Sequence, residues 1–165
     1  MALYFYAAGR RHELRLDEER LAIDTRLADS AGLRGAVEKL PVASRLPSGV
    51  IIIDRHAENE DLIKALDQAG ATRPVCRWGE VLVVPMPEVR VEFEPGERAA
   101  SLYALELSGI LADITEDTAE RLSLRPRSGR SIDALKLANF IYERARPASA
   151  SVRMLQIVPR RRHGA

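Results

Sequence analysis

The stretch that decides the fold is VLVVPMPEVRVEF, residues 81 to 93. It opens with four apolar residues and ends with VRVEF, in which apolar and charged side chains alternate as they do in a half-buried strand. Pro85 and Pro87 lie between these two β-like runs, and prolines interrupt regular secondary structure. We therefore expect a seam between two halves of the chain at these prolines.

On each side of the seam, the sequence predicts the same order of elements: strand, amphipathic helix, strand, helix, strand. The first copy covers about residues 21–78 and the second about residues 89–159. Such repetition indicates a repeated structural unit, and a βαββαβ unit is a small sandwich of one sheet and two helices. We predict an α+β fold of two tandem ferredoxin-like βαββαβ units, at residues 19–86 and 87–159.

A β-hairpin is predicted ahead of the two units, at residues 1–18. Leu3–Ala8 and His12–Leu16 have the composition of strands, and the turn between them contains a glycine. We expect the charged residues 17–20 to form a polar connection to the first unit. At the other end of the chain, RRRHGA at residues 160–165 is expected to be a frayed basic tail.

Apolar periodicity and capping residues predict two helices in each half. In the first half, Ser30 caps one helix and Asn59 caps the other. In the second half, one helix covers about residues 97–107, and Ser131 caps a longer one. The polar segment 115–120 is predicted to be a turn or a short helix.

Composition places the chain among ordinary globular proteins. It has 165 residues, 46% of them hydrophobic, and its 25 basic and 24 acidic residues leave a net charge of +1. The charge balance gives no general reason to expect nucleic-acid or membrane binding, and the hydrophobic fraction argues against disorder. The apolar N-terminus is too short for a signal peptide, and the longest apolar run, Gly49–Ile53, is too short for a membrane span. We therefore expect a cytoplasmic chain.

Candidate catalytic and metal-binding residues are not spaced for that chemistry. Asp54 and His56 lack a nucleophile elbow, and Cys76, the only cysteine, has the features of a plain buried side chain. The three histidines, which have no metal-ligand spacing, are His12, His56 and His163. Two charged clusters are better explained as solvated surface than as a cation or phosphate site. The possible cation site is the acidic cluster Asp113, Glu116, Asp117 and Glu120. The possible phosphate site is the basic cluster Arg125, Arg127 and Arg130. We expect no enzyme activity, no metal and no cofactor.

Four segments carry a family resemblance: the strand Leu122–Arg125, the helix Ser131–Asn139, the last strand Val152–Pro159 and the hairpin Tyr4–Leu16. They resemble the N-terminal prodomain of subtilisin-like serine proteases, especially the fervidolysin-like type. In that family, a strand is followed by a helix with an Ala-Leu-x-Leu-Ala-Asn core and by a last strand that leads to the protease. The chain departs from the family in two respects. It carries no sequence motif of the protease domain, and its last strand has QIVPR where acidic residues are typical.

The resemblance implies that the chain binds a subtilisin-like serine protease, in cis or in trans, as an inhibitor, a folding chaperone or a latency domain. A prodomain needs no catalytic residues, because its sheet packs on the protease and its C-terminal segment lies in the substrate cleft as an added strand. Pro159 favours the extended shape that this requires. The predicted partner-binding residues are Leu155, Gln156, Ile157, Val158, Pro159 and Arg160.

Two other functions remain open from the sequence. Ferredoxin-like repeats also serve as small-ligand regulatory modules, and the fold alone does not exclude that function. An open edge strand would instead favour an interaction scaffold or oligomerisation domain of a bacterial system. RNA recognition is a weaker alternative, because the strands lack a matched set of aromatic stacking residues.

Overall fold

Residues 2–157 are described by the computed structural model, and they form a mixed α/β fold with a curled antiparallel sheet and five α-helices. The strands are β1 (Leu3–Ala7), β2 (Arg10–Asp24), β3 (Ser44–Leu46), β4 (Val50–Asp54), β5 (Thr72–Trp78), β6 (Val81–Glu92), β7 (Ala112–Asp117), β8 (Arg121–Pro126) and β9 (Ser149–Ile157). The helices are α1 (Thr25–Ser30), α2 (Arg34–Glu38), α3 (Glu60–Gln68), α4 (Arg98–Leu107) and α5 (Ser131–Ala145). None of the helices in this part of the chain is long and apolar enough to cross a membrane.

In the first half, the strands lie in the order β3-β4-β2-β5, and each neighbouring pair is antiparallel. Side chains alternate across a strand, so one face of this sheet is apolar and packs on α1, α2 and α3. The buried residues of this core are Leu21, Ile23, Ala28, Val37, Ile51, Ile53, Ile63, Leu66 and Ala71. The β-branched run at residues 50–54 predicts a strand in the centre of a sheet, and it is confirmed as β4, whereas the three-residue β3 beside it was not predicted.

In the second half, the strands lie in the order β7-β8-β6-β9, again with antiparallel neighbours. Helices α4 and α5 cover one face of this sheet. The strand residues buried beneath them include Val89, Val91, Leu122, Leu124 and Val152. The helix predicted at residues 97–107 is confirmed to within one residue as α4.

Strand β6 runs without a break through Pro85 and Pro87, so the interruption predicted there is wrong. Its first part pairs with β5 and β9, and its second part pairs with β8 and β9. The pairing with β9 changes register between Pro85 and Val89. Prolines are tolerated inside a sheet at such irregularities, where a backbone donor is not needed. The two halves therefore share one continuous sheet, and β6 crosses the boundary expected after residue 86.

The sheet curls so that part of its helix-free surface is buried against itself. Val50, Ile52 and Val75 face inward from the first half, and Val84 and Leu155 meet them from β6 and β9. This third apolar cluster contains no helix residue among its buried members. It joins the two halves through side-chain packing as well as through backbone hydrogen bonds.

The predicted N-terminal hairpin is present, but its second strand is much longer than expected. Strand β2 continues through residues 17–20, where a polar connection was predicted, and its pairing with β5 changes register between Leu16 and Leu21. The hairpin packs on α5: the side-chain amide of Asn139 donates to the carbonyl oxygen of Tyr4 at 2.8 Å, and the rings of Tyr6 and Tyr142 stack at 4.5 Å.

The predicted helix starts in the first half are corrected by the capping geometry. Ser30 is the last residue of α1 and does not begin a helix. The residue that caps α1 is Asp24, whose carboxylate accepts hydrogen bonds from the backbone N–H groups of Arg26 and Leu27. Glycines at positions 32 and 35 lie in the segment predicted as one helix, and two short helices form there instead. Asn59 does precede α3, but its side chain makes no capping bond to that helix.

Two expectations in the second half are also wrong. Ser131 is the first residue of α5 and not its cap, and no side chain caps this helix. The polar segment 115–120 was predicted to be a turn or a short helix, but its first half, residues 115–117, belongs to β7, where the hydroxyl of Thr115 donates to the carbonyl of Ser123 at 3.2 Å. Residues 118–120 form the connection from β7 to β8, so the predicted turn is limited to these three residues. A solvated edge strand needs no apolar alternation, so periodicity does not identify it.

Candidate functional site

The helix-free face of the second half's sheet remains open, and it forms a cleft of about 630 Å³. We call it the open face. Alternation places Arg90 on this face, since its neighbours Val89 and Val91 are buried beneath the helices. The strand register sets Arg90 directly opposite both Ser123 of β8 and Ser151 of β9. The open face therefore presents a guanidinium group flanked by two hydroxyl groups.

Charges on the open face are only partly compensated. Arg153 pairs with Glu88 at 3.6 Å and donates to the hydroxyl of Ser48 at 3.0 Å, which links this face to the turn before β4. Arg90 and Arg125 line the cleft and have no ion-pair partner among residues 2–157. These two cationic groups suit a partner surface that carries carboxylates or carbonyl oxygens.

The predicted partner-binding segment starts within β9. Leu155 and Ile157 lie opposite Val84 and Leu82 and pack into the interior of the curl, where Leu155 is only 9% exposed. Gln156 between them is exposed. Val158, Pro159 and Arg160 lie outside the described residues. Among Leu155, Gln156 and Ile157, Gln156 is the residue whose side chain is exposed to a partner.

Among the described residues, His12, His56 and Cys76 do not form a shared site. His12 stacks on Phe5 at 5.1 Å and meets the edge of Trp78 at 5.4 Å. His56 is exposed beside the 3₁₀ turn before α3, and His163 lies outside the described residues. Cys76 is fully buried, and burial, helped by the carboxylate of Asp17, raises its pKa to about 11. Its thiol is therefore protonated near neutral pH, a state that is neither nucleophilic nor metal-binding.

The side chains of the two charged clusters singled out from the sequence do not stay together in the structure. Asp113 pairs with Arg127 at 3.0 Å, and Asp117 pairs with Arg98 at 2.6 Å. Arg125 lies on the open face, whereas Arg130 lies at the start of α5. Within the range 2–157, no group of three or more His, Cys, Asp or Glu side chains is arranged to hold a metal ion.

Two buried charges were missed by sequence reasoning. Asp17 was assigned to a polar connection, but it is buried and accepts hydrogen bonds from Arg20 at 3.1 Å and Arg77 at 3.3 Å. Arg73 was given no role, yet it is 2% exposed within β5. Neither position carries a local signal, because both burials depend on the bulged pairing of β2 with β5.

In comparisons with known proteins, no family model, no curated protein and no solved structure matches this chain. The geometry of the fold and of its surfaces is therefore the basis for a functional proposal.

Proposed function

We propose that this chain is a non-catalytic, prodomain-like protein that binds a subtilisin-like serine protease, in cis or in trans, as an inhibitor, folding chaperone or latency domain.

We also propose that it consists of two ferredoxin-like units behind the N-terminal hairpin. The strand order supports the assignment of two ferredoxin-like units. When the four strands of each half are numbered along the chain from β2 and from β6, both halves have the order 2-3-1-4.

The observation that carries the functional proposal is the difference between the two sheet faces. In the first half, the helix-free face is filled by the apolar interior of the curl. In the second half, the corresponding surface is left open and polar, with Arg90 and Arg125 unpaired within the described part of the chain. A sheet face that the fold leaves uncovered, and that carries unpaired charges and hydroxyl groups, is suited to packing against another protein.

The C-terminal strand β9 is the second surface through which we propose that the chain contacts the protease. Strand β9 pairs with β6 alone among the described strands, so its other edge has free backbone donors and acceptors. Since Leu155 and Ile157 are packed inside the curl, we assign contact with the substrate cleft to Gln156 and to residues 158–160. This assignment shortens the segment predicted from the sequence.

Inhibition of a bacterial subtilisin tests the proposal. We expect the full chain to slow hydrolysis of a chromogenic peptide in a concentration-dependent manner. The double variant Arg90→Glu/Arg125→Glu should raise the inhibition constant by about tenfold or more, because each reversal places a carboxylate where the partner meets a guanidinium. The matched control Arg10→Glu/Arg15→Glu reverses the same charge at two exposed arginines that have no ion-pair partner in the described range and do not line the open face, and it should leave the constant nearly unchanged.

The second arm of the experiment measures folding assistance. Denatured subtilisin should regain activity faster, or in greater yield, when it is diluted into buffer that contains the chain. If the chain neither slows the native protease nor assists its refolding, and a pull-down from the source lysate recovers no such protease, the proposal is wrong. The scaffold and regulatory-module functions would then be favoured.

A further inference from the structure

A second large pocket, of about 770 Å³, lies between the two halves of the molecule. It is lined by β2, by both ends of α3, by β5 and by the first turns of α5. Its volume is in the range of pockets that hold small molecules. It is separate from the open face, and no residue lines both.

The N-terminus of α5 forms one wall of this pocket. The helix has 15 residues, no side chain caps its first turn, and its first backbone bond runs from the N–H of Ala134 to the carbonyl of Arg130 at 3.2 Å. The N–H groups of Ser131, Ile132 and Asp133 consequently have no acceptor among residues 2–157. Free N–H groups at the positive end of a helix are a preferred site for anions.

Two buried side chains that line the pocket, one on α5 and one on β5, each have one polar atom without a hydrogen-bond partner. Ser131 is 2% exposed, and its hydroxyl makes no hydrogen bond within the described part of the chain. Arg73 is equally buried. Its Nη1 donates to three backbone carbonyls, including that of Gly129 at 3.4 Å, and its Nη2 lies 3.8 Å from the carboxylate of Asp24, but its Nε has no partner. Buried polar atoms are nearly always satisfied. Two unsatisfied atoms beside three free N–H groups therefore indicate an occupant that accepts hydrogen bonds.

Two cationic side chains lie at the α5 end of this pocket. Arg130 and Lys136 line the pocket and have no ion-pair partner in the described range. The nearest carboxylate in sequence, Asp133, already accepts a hydrogen bond from the hydroxyl of Ser128 at 2.6 Å. Across the pocket, Asp17 is held by arginines of β2 and β5, and Glu60 is paired with Arg55. Glu18 and Asp67 also line the pocket without an ion-pair partner in the described range, so the lining as a whole carries five carboxylates and five cationic groups. An anion is therefore favoured by the hydrogen-bond donors that gather at the N-terminus of α5, and not by the net charge of the pocket.

We propose that this pocket binds a small molecule through an anionic phosphate or carboxylate group seated at the N-terminus of α5. The N–H groups of residues 131–133, the hydroxyl of Ser131 and the guanidinium of Arg130 hold the anion, and Nε of Arg73 donates from the β5 side. Because the pocket is built from both halves, its occupant stabilises their packing. This site does not depend on the proposed binding to a protease.

Thermal unfolding of the full chain tests the site, with inorganic phosphate and acetate as separate probes and sodium chloride at matched ionic strength as the reference. We expect a saturable rise in the unfolding temperature with at least one probe, and the better probe identifies the preferred group. Arg130→Ala should weaken binding by about tenfold, since it removes a charge-assisted hydrogen bond, and Ser131→Ala should weaken it by about threefold.

The matched control is Arg10→Ala, which removes the same charge from an exposed position on the hairpin and should leave the affinity within about twofold. If neither probe shifts the unfolding temperature beyond chloride, the pocket holds water only and the proposal is wrong. The same conclusion follows if Arg10→Ala and Arg130→Ala weaken binding equally. Inhibition of subtilisin by the Arg130→Ala variant should be unchanged, so this site and the proposed protease contact can fail independently.

Discussion

At the scale of single residues, the buried thiol of Cys76 links stability to pH. Burial holds its pKa near 11 in the folded chain, above the ordinary value of 9.0. A group whose pKa is raised by folding contributes stability that is fully present below its unfolded pKa and lost as the pH rises through its folded pKa. Between pH 8 and pH 10, we expect ionisation of this thiol in the unfolded chain to lower the free energy of unfolding by about 1 kcal/mol.

Urea unfolding at pH 8 and pH 10 measures this effect, with Cys76→Ala as the control for tyrosines and other groups that titrate in the same range. The variant should be less stable at pH 8, because a buried sulfur is removed. The difference in stability between the wild type and the variant should then shrink at pH 10. A difference that is the same at both pH values would show that the thiol does not titrate as its burial requires.

At the scale of elements, the hairpin β1–β2 is held to α5 by a buried amide. Asn139 is 6% exposed, and its donation to the Tyr4 carbonyl joins residues 135 positions apart in the sequence. Asn139→Ala leaves that carbonyl without its partner, which should lower the free energy of unfolding by about 1–3 kcal/mol. Hydrogen exchange should also speed up in β1, because its docking is weakened.

The matched control for the hairpin is Asn59→Ala, which removes an amide whose bonds stay within the segment before α3. It should leave exchange in β1 unchanged. Equal exchange rates in β1 for the wild type and Asn139→Ala would mean that apolar packing alone holds the hairpin in place.

Strands and helices with a clear hydrophobic pattern in their own residues could be predicted from the sequence. Strands that form only because of the strands they pair with could not. Strand β4 and helix α4 carry a β-branched run and a helical period, and both are found where predicted. Strand β7 is polar because it lies at an edge, and β6 passes through two prolines because its pairing with β9 shifts there. Local propensity gives way to tertiary pairing in both cases.

The open face illustrates the same limit for the candidate site. The alternation around Arg90 predicts a strand with one buried and one polar face. It does not predict that Ser123 and Ser151 lie on either side of Arg90, because that placement requires the strand order and the register. The last strand was predicted, but the burial of Leu155 in the curl was not, since its partners come from the other half.

At the scale of the whole molecule, the two halves are joined too closely to unfold separately. They share β6 and β9, and the apolar interior of the curl draws residues from both. We therefore expect the full chain to unfold in one cooperative transition in urea. Trp78, the only tryptophan, ends β5 at the junction of the halves, so its fluorescence and the far-ultraviolet circular dichroism should change together.

Two uncoupled halves of similar stability would also unfold over the same range of urea concentration. A substitution inside the curl distinguishes that case from a single cooperative unit. Ile52 belongs to the first half and is 1% exposed, so Ile52→Ala should lower the free energy of unfolding by about 2–5 kcal/mol through the cavity it leaves. If the halves form one cooperative unit, hydrogen exchange should accelerate in α5 of the second half as much as in α3 of the first. Acceleration confined to α3, or two separate transitions in urea, would show that the shared strands do not couple the halves.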